Sequence, residues 1–250
     1  MENYELFNNS ELFSWSDREE LIVQETYLFN KYILPLPKTS EILDIGTGNG
    51  RFLFALANEG FHKLMGIDLA GSLLAFGKRK ALREHASLNF LIMDGMHLAL
   101  KKNSFDVVLA LQQIVSFISK AEFRIKALEE WFRALKPGGL LLSSFLHFEG
   151  RWFNPILSKI AYPIKMLKKD FDFMDYRYLP WLKLGGKINV KYLFKRQSYT
   201  YWFNLREILK ILDIVGFQVI ECVTSRMIRE KKRDLINGGM LYIVAAKPNI

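Results

Sequence analysis

The chain has 250 residues, half of them hydrophobic and 14% aromatic, with 35 Lys and Arg against 26 Asp and Glu for a formal charge of +9. Such a length suits one domain of ordinary size, alone or with a cap, and such an apolar content excludes a disordered chain. One cysteine, Cys222, excludes an internal disulfide and a cysteine-built zinc site.

The N-terminus is acidic, without an apolar core of signal-peptide length. Its aromatics Tyr4, Phe7, Phe13 and Trp15 exceed what so polar a lead would bury by itself, which suggests a lid or a flank contact. Asp17–Tyr32 has helical apolar spacing, with Ser16 or Asp17 as cap, and Pro35 and Pro37 close it. Residues 1–40 therefore read as an N-terminal lid or helix. Short apolar runs at Glu41–Ile45, Leu64–Ile67, Asn89–Ile92 and Phe105–Leu111 predict buried parallel strands. Helices are expected between them at Arg51–Asn58, Ser72–His85 and Lys120–Leu135. The turn at Lys136-Pro137-Gly138-Gly139 leads into a fifth strand, Leu140–Phe145. Strand and helix alternating at this spacing predict an α/β, doubly wound, Rossmann-like sheet. Beyond residues 146–200, Asn204–Val215 reads as a helix closed by Gly216. Strands at Phe217–Val223 and Gly239–Lys247, joined by a loop, should pair antiparallel. Residues 41–145 and 201–250 thus form the core, and 146–200 form an insertion after strand five.

The chemistry starts at Ile42-Leu43-Asp44-Ile45-Gly46-Thr47-Gly48-Asn49-Gly50-Arg51, where a strand runs through three glycines into a helix. Glycines there permit a tight turn and close backbone approach by a ligand. Alone, such a turn is weak evidence. Asp44 precedes the glycines, and Asp68 ends the second strand where a carboxylate can accept from ribose hydroxyls. The spacing differs from the dinucleotide pattern G-x-G-x-x-G, and a pyrophosphate would find Asp44 a poor neighbour. An ammonium and a sulfonium would welcome it. A Walker sequence is absent, which argues against a nucleoside triphosphatase.

These residues resemble the class I S-adenosylmethionine-dependent methyltransferases. Asp44-x-Gly46-x-Gly48-x-Gly50 is similar to their first motif, and Asp68 to their ribose-binding acid. Phe90-Leu-Ile-Met-Asp94-Gly95 is similar to their adenine segment, Phe105-Asp106-Val107-Val108 to their fourth strand, and Leu135–Gly139 to the turn before the fifth. The likeness covers about 41–145 and resumes over about 204–247. It implies a mostly parallel seven-stranded sheet with its last strand antiparallel, and S-adenosylmethionine as cofactor. It implies cofactor contacts at Asp44, Gly46, Thr47, Gly48, Gly50, Asp68, Leu69, Asp94, Gly95, Met96 and Gln112. Asp94 has a competing reading as a turn former, and Asp106 is expected to fix a strand start.

Methyl transfer is an in-line displacement, so positioning supplies much of the catalysis, and a base is needed only for a protonated acceptor. His147 and Glu149, just beyond strand five, are the candidate bases. His62 and His85 read as structural, His97 follows the adenine segment and is a lesser candidate near the cleft, and no metal site is expected. The charge is uneven: residues 1–145 carry a net −1, and residues 146–250 a net +10. The insertion holds much of the surplus together with many aromatics. Pro155–Lys169 within it suits an amphipathic helix that Pro163 would distort. The favoured reading is a cap over a small organic acceptor, such as a natural product or a quinone-like or lipid-like molecule. The alternatives are an RNA or tRNA methyltransferase using basic and aromatic groups, a membrane-surface cap, and a non-catalytic cofactor-binding or partner module. The longest uncharged runs are shorter than the ~18–20 residues that cross a bilayer. A cytoplasmic protein is expected.

Overall fold

Glu41–Ile45 (β1) sits inside a seven-stranded sheet, buried on both faces except at its first residue. In this computed structural model, residues 20–180, 183–184, 187–188, 199–231 and 239–249 are described. Tyr4, Phe7, Phe13, Trp15, Trp181, Tyr192 and Phe194 lie outside them. Helix α1 (Val23–Leu28) precedes β1, and α2 (Arg51–Asn58), β2 (Lys63–Asp68), α3 (Gly71–Arg83) and β3 (Leu88–Ile92) follow it. Then come β4 (Phe105–Ala110), α4 (Ala121–Ala134) and β5 (Leu135–Phe145). The insertion contributes α5 (Asn154–Lys168) and a small pair, β6 (Tyr178–Pro180) with β7 (Tyr199–Tyr201). Helix α6 (Leu205–Val215), β8 (Gln218–Thr224), α7 (Ser225–Glu230) and β9 (Leu241–Ala246) complete the chain.

The strand order is β8-β9-β5-β4-β1-β2-β3, and β9 alone runs against its neighbours. Because strand side chains alternate between faces, Val107 and Leu109 of β4 enter one apolar layer, while Val108 and Ala110 enter the other. Helices cover both faces, so the central strands carry almost no polar residue. Strand order reverses between β1 and β4, which opens a crevice at their carboxyl ends.

Three expectations change. The first helix starts at Val23 rather than Asp17, because the Glu25 carboxylate accepts the Ile22 amide at 3.0 Å and fixes the first turn there. It continues as a π-helical turn over Phe29–Ile33. Strand β5 starts at Leu135 and carries the Lys-Pro-Gly-Gly sequence within it, through a bulge opposite Phe105 and Val107. The last two strands are joined through a helix, α7, because Thr224 caps it by accepting from the Met227 amide at 3.2 Å. Helix α5 continues through Pro163. Cys222 on β8 is a free thiol, pushed up to about 11 mainly by burial, which suits an inert residue.

Candidate functional site

The glycine loop leaves β1 into the crevice. The amides of Gly46 and Thr47 both donate to Ile67 O of β2, at 2.8 and 3.0 Å, which turns the chain sharply. Gly46 has φ +70°, and any Cβ there would collide with the Ile114 side chain. At Gly48, φ +58°, a Cβ would instead project into open space, with only Leu73 Cδ1 at 3.8 Å. That open face is a cradle where a ligand can meet bare backbone.

Three carboxylates surround the loop. Asp68 accepts the Gly48 amide through one oxygen and the Ala70 amide through the other, each at 2.8 Å. Burial pushes its carboxyl above the ordinary range, against the pull of those amides. Asp44 is buried and accepts the Thr47 hydroxyl at 2.7 Å. Its carboxyl is pushed up to about 7, first by burial and then by Glu25 and Asp68, against the Thr47 bond and the Arg51 charge. Glu25, fully buried on α1, accepts from Arg51 Nη1 and Nη2 at 2.6 and 2.8 Å and from Gln112 Nε2 at 2.6 Å. Glu25 and Asp44 therefore share one guanidinium, and with Asp68 on the same loop the site favours a cation.

At the end of β4, Gln112 and Gln113 have φ of +57° and +63°. Two adjacent non-glycine residues in the left-handed region mark a strained corner of the kind found at functional sites. It turns the Gln112 amide onto Glu25, while the Gln113 backbone amide donates to Ser144 Oγ of β5 at 3.0 Å. Past β5, His147 is 1% exposed, and its Nε2 lies 3.1 Å from Glu149 Oε2. Its Nδ1 is buried without a hydrogen-bond partner among the described residues. Burial lowers the imidazole from its ordinary value, against the pull of Glu149.

Asp44, Gly46, Thr47, Gly48, Gly50, Asp68 and Gln112 thus gather at the β1–β4 crevice. Leu69 follows Asp68 and is 42% exposed. Asp94 accepts the Met96 amide at 2.9 Å, so its side chain forms a turn at the end of β3, and Gly95 O accepts Trp131 Nε1 at 2.9 Å. Asp106 accepts the Glu41 amide at 2.8 Å and pairs with Lys136, a strand-fixing role. Sequence reasoning missed Glu25 and the charge of Arg51. A lone arginine opening an otherwise apolar helix was the available signal.

Residues 42–139 match the family model for a methyltransferase domain. Residues 42–139 therefore form a methyltransferase domain. It is 30% identical over 164 residues to the ubiquinone/menaquinone biosynthesis C-methyltransferase UbiE of Dinoroseobacter shibae, covering 64% of this chain and 56% of that protein. It is 31% identical over 112 residues to phosphoethanolamine N-methyltransferase 1 of Triticum aestivum, covering 44% of this chain and 22% of that one. The chain thus spans between a fifth and about three fifths of the length of these relatives. A crystal structure of a SAM-dependent methyltransferase from Methanosarcina mazei shares the fold, with TM-score 0.64 and 18% identity, covering 85% of this chain and 94% of that one.

S-adenosylmethionine is the cofactor that a methyltransferase domain implies, and the residues present fit it. The surplus of negative charge suits its ammonium and sulfonium, and the bare Gly48 face admits its nucleoside part. Asp68 keeps acceptor capacity for ribose hydroxyls beyond its two amide bonds. A cation favours ionised Asp44, so binding below about pH 7 should release a proton from that carboxyl. Affinity is expected to climb with pH, by up to about tenfold per unit, and to level off once Asp44 is ionised. Calorimetric titrations in buffers of different ionisation enthalpy would show the released proton. A wild-type affinity that stays flat across that range, or a slope that survives in Asp44→Asn, would reject this role.

Proposed function

We propose that this chain transfers a methyl group from S-adenosylmethionine to a small organic acceptor. The observation that carries the proposal is the net-negative pocket of Glu25, Asp44 and Asp68 around the open Gly48 turn, at the switch point of a methyltransferase domain. The cofactor supplies an electrophilic methyl carbon. Glu25, Arg51 and Gln112 orient the methionine end, Asp68 orients the ribose, and Asp94, Gly95 and Met96 line the adenine end. For a hydroxyl or carbon-acid acceptor, His147 receives the proton at Nδ1, which lacks another partner, and Glu149 stabilises the imidazolium through Nε2. Because burial holds His147 below its ordinary value, it is neutral and ready as a base at neutral pH.

The insertion favours a small acceptor over RNA. Phe173, Tyr178, Tyr199 and Tyr201 are buried against one another and against Phe203, and Tyr201 lies under the Arg124 guanidinium at 3.8 Å. These particular rings are not open for base stacking, the mode that single-stranded RNA needs, although Trp152 and Phe171 of the insertion are exposed. The buried rings pack on one another, so an acceptor pocket would have to be lined by other residues. The UbiE relative is named for a quinone, and a ring of that class is the acceptor to try first.

Transfer of labelled methyl to a panel of quinols, phenols and amines, against bulk tRNA, tests this reading. Label in the organic extract is the expected result, and label confined to RNA would reverse it. With an active acceptor in hand, His147→Ala should cut turnover at least about a hundredfold, with cofactor binding unchanged. The acidic limb of the wild-type rate profile should lie below the ordinary histidine value.

A further inference from the structure

Helix α5 is oriented inside out. Its buried stripe is Asn154, Ser158, Ala161 and Lys165, spaced at i, i+4, i+7 and i+11. Three of the four are polar. Asn154 Nδ2 donates to Phe148 O at 2.8 Å, Ser158 Oγ donates to Asn154 O at 2.7 Å, and Lys165 Nζ donates to Asp175 O at 3.0 Å beside the Tyr199 ring. The stripe two residues further on, Ile156, Ile160, Pro163 and Leu167, has the same spacing and points the opposite way. Ile156, Ile160 and Leu167 are 53%, 50% and 84% exposed. Trp152, at 82%, extends it before the helix, and Phe171, at 65%, lies beyond its end.

A helix on a water-facing surface buries its apolar stripe and exposes its polar one. Single exposed hydrophobics, such as Leu82 or Ile214, are ordinary, but a continuous apolar stripe marks an interaction surface. The charge around this stripe narrows the partner. Residues 150–169 contain no Asp or Glu, while Arg151, Lys159, Lys168 and Lys169 flank the apolar residues. An apolar face with Trp at one end, Phe at the other and cations along its margin has the make-up of a helix that lies in a lipid interface. An anionic leaflet supplies both complements, an acyl boundary for the stripe and headgroup charge for the lysines.

We propose that α5 docks on the surface of an anionic phospholipid bilayer, with Trp152, Ile156, Ile160 and Leu167 in the acyl boundary and Lys159 and Lys169 on the headgroups. The helix begins seven residues after His147 and is tied back by the Asn154–Phe148 bond. Docking there places the end of β5, where an acceptor would enter, beside the lipid. The surface contact itself is independent of the methyl-transfer reading.

Vesicle flotation of the full chain tests it, comparing phosphatidylcholine alone with phosphatidylcholine containing about 30% phosphatidylglycerol. The wild type should float with the anionic vesicles, less so as salt rises. The double variant Ile160→Glu, Leu167→Glu should bind at least about tenfold less with an unchanged melting temperature, since both side chains already face outward. Brominated lipid should quench wild-type tryptophan emission more than that of Trp152→Phe. Absence of wild-type flotation, or equal flotation of the double variant, would overturn the proposal. A lower melting temperature in the double variant would show instead that the stripe packs within the chain. A dimer in the wild type that becomes a monomer in the variant would assign the stripe to a second copy.

Discussion

Replacing Asp68 with alanine should weaken cofactor binding about a hundredfold, the effect of losing charge-assisted hydrogen bonds worth about 1.5–3 kcal/mol in a buried site. Asp68 holds the Gly48 and Ala70 amides at the same time as it faces the ribose position. Its loss would therefore both remove the ligand's acceptor and loosen the loop that cradles it. Asp68→Asn keeps one acceptor oxygen for one of the two amides, so it should retain part of the loop's stability while still losing affinity. Calorimetry and thermal melts of the two variants separate these contributions. An unchanged affinity in Asp68→Ala would remove Asp68 from the cofactor site.

The second large effect is expected at Glu25. Its side chain is 1% exposed and that of Arg51 14%, so truncating the glutamate strands a buried guanidinium. Breaking such a pair on one side costs about 3–5 kcal/mol, and Glu25→Ala should lower the melting temperature by roughly 10 °C. Gln112 would lose its partner too, and the strained corner at Gln112 and Gln113 would lose one of its restraints. Cofactor affinity should fall with stability, because Glu25 supplies part of the negative field. Adding Arg51→Met to Glu25→Ala removes the stranded charge and should recover part of the stability. A Glu25→Ala protein as stable as the wild type would mean that the pair contributes nothing.

Glu25 also shows where sequence reading ends. β1 was legible to the residue, because five residues bounded by turn formers and dominated by apolar side chains have one simple reading. The antiparallel ending was legible from a strand pair whose connection shows no helical pattern, although a short helix, α7, stands within it. The Glu25–Arg51–Gln112 contact was not, since it joins residues 26 and 87 positions apart that share no local pattern. The start of α1 at Val23 was hidden for the same reason, and the Ser16 or Asp17 cap expected from the sequence lies outside the described residues. Helix α7 was not legible, because Ser225–Glu230 is too short to show a helical period and its cap rests on one residue, Thr224. In α5, periodicity predicted an amphipathic helix but could not say which stripe faced inward. Packing against Phe148 and Asp175 decided that, and placed the polar stripe inside. The +9 charge, seen first as a property of the whole chain, is concentrated beyond residue 145, and on α5 it flanks that outward apolar stripe.

Titration of the wild-type chain with S-adenosylmethionine in a calorimeter, with NAD as the competitor, tests the central claim most directly. Saturable one-to-one binding of S-adenosylmethionine, with NAD much weaker, is the predicted result. No heat of binding with S-adenosylmethionine, or tighter binding of NAD, would contradict it.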